Sequence, residues 1–378
     1  MLDIRQGCLK DIFKSHKRIV LFGAGSLTSA MFEAYRDFGF EGKVDYIIDN
    51  DKAKDGRTMT VNGKSLTLIS VESFSHLDYR DYILLIMPVF FLEIVNQIKD
   101  LPVFDKVVTY IYPFLMSRRT GEQFSIRHTE EMRIPKTIHY CWFGGKPIPD
   151  KYKENIASWK KYCPDYEIME WNESNYDVTK NRFMQQAYQK ECWPYVTDYA
   201  RKDIIYKNGG IYFDTDVEVL HSLDNLLFND FFVGMDDVAN INTGAGFGAA
   251  KGNGMIQALR DDYERHSFVD ESGGIIGRAC GVYETALLVK YGYKPENRMQ
   301  RIHGGCVLPR EVLSPISWIG MPDMYTENTL TAHKYDDLLI DGKGAEAAAV
   351  QRKQMEALVQ SLGLVNQNRL QNLVTRLS

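Results

Sequence analysis

The stretch "GGIYFDTDVEVL", Gly209 to Leu220, sets Asp214, Asp216 and Glu218 at alternate positions of an apolar run. Side chains alternate faces along a strand, so a continuous strand here puts the three acids on one face with Tyr212. Ile211, Phe213, Val217 and Val219 then line the other face. Two carboxylates about 7 Å apart repel by roughly 0.6 kcal/mol in water and about 2 kcal/mol at an effective dielectric near 20. Either solvent bathes that face or a cation offsets the repulsion. Just upstream, "TDYARKDIIYKNGG" spaces Asp198 and Arg201 one helical turn apart, so that both polar groups point into one cleft. Its closing glycines end the helix, since glycine accepts the left-handed turn found at helix C-termini. Helix and strand together therefore deliver Asp198, Arg201, Tyr212, Asp214 and Asp216 toward a common place.

The elements that must position these residues are legible in outline. "RIVLFGAGSLTSAMFEAYRDFGF" reads as strand, glycine-rich turn and helix, and "VDYIIDND", "DYILLIMP", "FFLEIVNQIKDL" and "KVVTYIYP" continue the alternation expected of a parallel sheet. This predicts an α/β protein with a Rossmann-like domain over residues 1–116, a second mixed domain over 117–341 beginning at "IPKTIHYCWFGG", and a helical tail over 342–378. In the first domain Gly23, Gly25 and Asp49 stand where a dinucleotide fingerprint places them, but Thr28 occupies the third glycine position. The reading favoured is a tight turn in a scaffold without a ligand. This stretch resembles the nucleotide-binding-like modules that accompany sugar-modifying enzymes. The tail carries apolar residues at Met355, Leu358, Val359 and Leu362, then Leu370, Leu373, Val374 and Leu377. Such stripes call for packing on the chain itself or on a second copy, in preference to a membrane surface.

Composition excludes other classes. At 25% charged and 44% hydrophobic residues the 378-residue chain matches an ordinary globular protein, and a net charge of −5 gives no general affinity for nucleic acid. No run of about 18 apolar residues exists and "MLDIRQGCLK" lacks a signal peptide's apolar segment, which predicts a cytoplasmic protein. The six cysteines form no C-x-x-C pair and read as reduced, buried thiols.

Asp198-x-x-Arg201 followed by Gly209-Gly210-x-Tyr212-x-Asp214-x-Asp216 is similar to the signature of the D-x-D sugar transferases. That family, glycosyltransferase family 32-like, includes capsule transferases, initiating mannosyltransferases and, more distantly, clostridial glucosylating toxins. "IPKTIHYCWFGG" resembles the family's first strand, "SWKKYCPDYEIMEWNESNYD" its next helix and strand, and "VLPREVLSPIS" a late strand. The resemblance implies a GT-A-type fold and a divalent cation, Mn2+ or Mg2+, bridging the protein to the diphosphate of a nucleotide-sugar donor. It implies that Trp142 stacks on the base, that Asp198 and Arg201 hold the sugar hydroxyls, that Tyr212 and Asp214 lie by ribose and metal, and that Asp216 ligates the metal. The family's His-rich segment ending in Ser-Trp has only "TLTAHKYDDLLI" as its counterpart, where His333 stands for the ligand and no Ser-Trp follows. The activity implied is retaining transfer of a hexose, from UDP-sugar in preference to GDP-sugar, to a surface glycan or lipid-linked oligosaccharide at the inner face of the membrane.

Plainer alternatives stand beside these roles. Trp142 reads equally as core, Asp198 and Arg201 as a helix-surface ion pair, and His333 as a structural histidine. "NINTGAGFGA" brings Asn242 to the acceptor side or is a glycine-rich turn, and "GGIIGRACGVYETALL" offers Arg278 or Glu284 to an acceptor. Other classes compatible with the sequence are a haloacid-type phosphohydrolase, which Glu218 disfavours, an NAD-dependent oxidoreductase built on the first domain, and an inactive sugar-binding scaffold.

Overall fold

The computed structural model describes residues 3–117 and 123–336, save 6 and 8, and the helical pairs 353–354 and 357–358. The chain divides into two compact units, one built on Met1–Arg118 with Ser317–Asp323, the other on Arg119–Ile316 with Met324–Leu338.

The first unit is a seven-stranded sheet: β1 (Asp3–Ile4), β2 (Arg18–Phe22), β3 (Val44–Ile48), β4 (Thr58–Val61), β5 (Lys64–Ile69), β6 (Tyr82–Ile86) and β7 (Val108–Ile111), in the order β1-β7-β6-β2-β3-β5-β4. All pairs are parallel except the β4–β5 hairpin. β2 and β6 are central and apolar on both faces, which is why "IVLF" and "ILLI" read as continuous runs. The helix Phe91–Ile98 adds Phe91, Leu92, Ile94, Val95 and Ile98 to the same core. The hairpin is an addition to the expected strands, and its signal is the Asn62-Gly63 dipeptide between them. Of the expected tail stripe, Leu358 rests against this unit's core. Met355, Val359, Leu362, Leu370, Leu373, Val374 and Leu377 lie outside the described residues, and so does any association through them.

The second unit holds a mixed sheet of β8 (Thr137–Cys141), β9 (Glu167–Trp171), β10 (Gly210–Tyr212), β12 (Phe231–Met235), β13 (Ile241–Ala249), β14 (Gln300–Ile302) and β15 (Gly305–Val307). Its order is β14-β15-β12-β13-β10-β8-β9, with β9, β8 and β10 mutually parallel and β13 antiparallel to β10. A separate antiparallel pair joins β11 (Val217–Val219) to β16 (Thr331–His333). The acidic stretch is therefore not one strand. It leaves the large sheet after Tyr212, turns as the Val217 amide donates to the Asp214 carbonyl (3.1 Å), and enters the small sheet. A continuous strand would have kept Tyr212 to Val219 in one ladder. Instead, the Asp214 amide donates to the Gly244 carbonyl, and pairing resumes only when Val217 meets His333.

The helix before it, Trp193–Asn208, ends at Gly209 with φ 74°, and Gly210 follows at φ 102° with no room for a β-carbon, which would lie 2.7 Å from the Thr137 carbonyl oxygen. Only glycine makes that entry beside β8. Among the described residues Cys141, Cys163, Cys192, Cys280 and Cys306 are free thiols, and no helix is long and apolar enough to cross a membrane.

Candidate functional site

The turn between β10 and β11 gathers the predicted residues. Arg201, 2% exposed, donates from Nη2 to Asp198 Oδ1 at 2.5 Å and from Nη1 to Asp214 Oδ2 at 3.2 Å. The Tyr212 hydroxyl donates to Asp214 Oδ1 at 3.0 Å. One buried guanidinium thus ties the helix acid to the first acid of the turn, and the surface ion pair considered for Asp198 and Arg201 is excluded. Burial raises the Asp198 carboxyl to about 6, with Arg201 and Lys202 only partly opposing it. Space at Asp214 is narrow: a β-carbon on Gly244 would fall 2.3 Å from its Oδ2 and 3.3 Å from Arg201 Nη1.

Asp216 sits on the other side of the turn, 3% exposed, with Oδ1 3.2 Å from His333 Nε2 and Oδ2 accepting from the Asp336 amide at 2.9 Å. Burial pushes its pKa up, but the adjacent His333 and the Asp336 amide outweigh that and hold it below the usual carboxylate range. Ligand atoms of Asp214, Asp216 and His333 all lie within 4.8 Å of one another. Two carboxylates and an imidazole at that spacing fit a divalent cation. Glu218, the third acid of the alternation, turns away and pairs with Lys334 at 3.1 Å. The break in the strand separates it from the other two.

Trp142 follows β8, half-buried, with Nε1 donating to the Lys146 carbonyl at 2.5 Å and its ring leaning on core side chains and on Tyr152. Asn242 begins the approach to Gly244, and its Oδ1 accepts from the Gly244 and Ala245 amides. Arg278 is exposed.

Glu284 does not face an acceptor. It is 1% exposed, pairs with the equally buried Lys202 at 2.7 Å, and accepts from the Thr243 amide and hydroxyl. Lys202 also donates to the Asp198 carbonyl at 2.7 Å, so this ion pair supports the site from behind. Glu284 lies on the inward face of the helix Cys280–Lys290, where an unpaired charge would be costly. Sequence reasoning passed over Lys202 and Gly244, and also Asn155 on the helix Asp150–Tyr162, because their partners are distant in the chain. A lysine embedded in the buried run Asp198–Ile205 was the one available signal.

Residues 149–233 match the family described as the glycosyltransferase sugar-binding region containing DXD motif. Over 151 residues the chain is 31% identical to inositol phosphoceramide mannosyltransferase 3 of Schizosaccharomyces pombe, a match covering 38% of this chain and 41% of that relative. Among solved structures, the PaToxG glycosyltransferase is similar at 19% identity with a TM-score of 0.33, over 42% of this chain and 69% of the other. Aspartate semialdehyde dehydrogenase II of Vibrio cholerae is similar at 15% identity with a TM-score of 0.21, over 46% of this chain and 42% of the other. At those scores neither structure bears on fold or function. Asp198, Arg201, Tyr212, Asp214 and Asp216 all fall inside the segment similar to that family, and Asp214-Thr215-Asp216 is its D-x-D.

Proposed function

We propose that the chain is a metal-dependent, retaining glycosyltransferase of GT-A type that moves a hexose from a nucleotide diphosphate sugar, UDP-sugar before GDP-sugar, to a surface glycan such as capsular polysaccharide or O-antigen. The observation that carries this reading is the Asp214–Asp216–His333 cluster set beside the buried Asp198–Arg201 pair. A divalent ion held by those three residues would neutralise charge that develops on the donor diphosphate as the glycosidic bond breaks. Asp198 and Arg201, locked to each other and to Asp214, orient the donor sugar at that charge. Trp142 offers a ring for the base, Tyr212 fixes Asp214, and Asn242 holds the backbone toward the acceptor. No side chain in the set is assigned as a carboxylate nucleophile. The reading is therefore a front-face displacement in which the leaving diphosphate accepts the acceptor's proton. The first unit is a scaffold in this reading: Thr28 Oγ1 closes its turn on the Gly23 carbonyl, and Lys54 pairs with Asp49.

A screen of UDP-sugars and GDP-mannose for hydrolysis with and without Mn2+ tests the proposal. One donor should be consumed only when the metal is present. An absence of both hydrolysis and donor binding across the panel, with Mn2+ or with Mg2+, would overturn it in favour of an inactive scaffold.

A further inference from the structure

We propose that Asn155 is a positioning residue that clamps the acidic turn to the strand carrying His333 and so sets the affinity of the cluster for its cation, an inference that rests on the metal-site reading above. Asn155 lies on the helix Asp150–Tyr162 and is 2% exposed. Its Nδ2 donates to the carbonyl of Thr215, the residue between Asp214 and Asp216, at 2.8 Å. Its Oδ1 accepts from Nζ of Lys334, the residue after His333, at 2.8 Å. A carbonyl only accepts and an ammonium only donates, so the two partners fix the orientation of the amide. Aspartate lacks the donor, and an aliphatic residue lacks both groups.

The rest of this helix face performs a different task. Trp159 Nε1 donates to the Val217 carbonyl and Ser158 Oγ accepts from the Val219 amide, both at backbone positions of β11. Ser158 and Trp159, on the same helix face as Asn155, therefore serve the edge of β11 away from β16. Ser158 and Trp159 hold the strand, whereas Asn155 alone among them reaches both ligand-bearing segments. Thr215 and Lys334 lie 60 and 179 residues from it in sequence, so no local structure substitutes for the clamp. Lys334 is steadied further by Glu218, and Asp336, whose amide holds Asp216, is paired with Lys151 from the same helix at 2.9 Å. Metal–ligand distances in a well-formed site fall within about 0.2 Å of their usual values, and residues that orient ligands typically change metal affinity by about 10- to 100-fold when removed.

The test is a titration of the full chain with Mn2+ alone, followed by the loss of the free ion's electron paramagnetic resonance signal, beside a thermal melt of each variant. Asn155→Ala should raise the Mn2+ dissociation constant about 10- to 100-fold while saturating Mn2+ restores donor hydrolysis. Lys153→Ala, which removes only an exposed partner of Asp150 on the same helix, should leave the constant unchanged. Should Asn155→Ala fail to fold, Lys334→Ala removes one arm of the clamp at an exposed position and should weaken Mn2+ in the same direction. Combining Lys334→Ala with Asn155→Ala should add little, because the two residues act as one unit. Folded variants that bind Mn2+ as tightly as wild type overturn the clamp alone. Wild type that takes up no Mn2+ overturns the metal-site reading and the clamp with it.

Discussion

Both units place a sharp turn at the end of a central strand, and the two turns are finished in opposite ways. After β2 the chain passes Gly23, whose β-carbon would lie 2.7 Å from Pro88 Cγ, and the hydroxyl of the buried Thr28 closes back on the Gly23 carbonyl at 2.6 Å. At Gly23 that turn is filled from within. After β10 the chain presents Asp214 and Asp216, each held by fixed donors, with their remaining oxygen positions directed at one another and at His333. A glycine pattern alone is therefore a poor guide to ligand binding, because neighbouring side chains can complete the turn. Converging like charges, held apart by groups that do not neutralise all of them, are a better one.

The sharpest way to break this contrast is Asp216→Asn. The substitution keeps volume but removes a charge that His333 and the Asp336 amide stabilise, so the fold without metal should be slightly less stable at neutral pH. An amide is a much poorer ligand for a hard ion, and several kcal/mol of charge stabilisation would be lost. Turnover of the donor should fall at least about a hundredfold, and the rise in melting temperature on adding Mn2+ and UDP should vanish. Wild-type turnover in this variant would leave Asp216 a buried structural residue with no part in the reaction.

Gly244→Ala probes the same turn by space alone. Its new methyl must push Asp214 or Arg201 aside, and a displacement near 1 Å can cost up to about a hundredfold in rate. Steady-state hydrolysis with a melt taken in parallel separates this loss from unfolding. Trp142→Ala should weaken UDP binding by around 2 kcal/mol, or about thirtyfold, in calorimetry with Mn2+ present. Unchanged affinity in a folded variant would return Trp142 to the core.

The smallest effects belong to the first unit. Gly23→Ala meets both a positive φ of 102° and Pro88, and should cost about 1–3 kcal/mol in stability while leaving the Michaelis constant for donor as it was. Gly25, at φ −90° with nothing within 4 Å of its β-carbon, should accept alanine within about 0.5 kcal/mol. Saturable binding of NAD or a nucleotide that is lost in Gly25→Ala would erase the contrast between the two turns.

What the sequence made legible follows from range along the chain. The Asp198–Arg201 spacing, the two D-x-D acids and the apolar strands β2 and β6 are local patterns, and periodicity exposes them. The break after Tyr212 is not local. It arises because Asp214 is captured by Gly244 and Val217 by His333, and neither partner leaves a mark on "YFDTDV". For the same reason Glu284, offered with Arg278 as an alternative acceptor contact, proved to be the buried counter-ion of Lys202, and Asn155 drew no notice at all. His333 was found only through resemblance to a family, since a single histidine in "TAHK" carries no pattern of its own.

The pairing of β11 with β16 also dates the site within the life of the molecule. Val219 meets Thr331, so a loop of roughly 110 residues must close at an entropic cost of about 4 kcal/mol before the carboxylates meet their histidine. A growing chain carries Asp214 and Asp216 out of the ribosome long before His333 is made. The cluster is completed only when nearly all of the second unit has been synthesised, and a chain stopped short of Thr331 has the acids without the pocket.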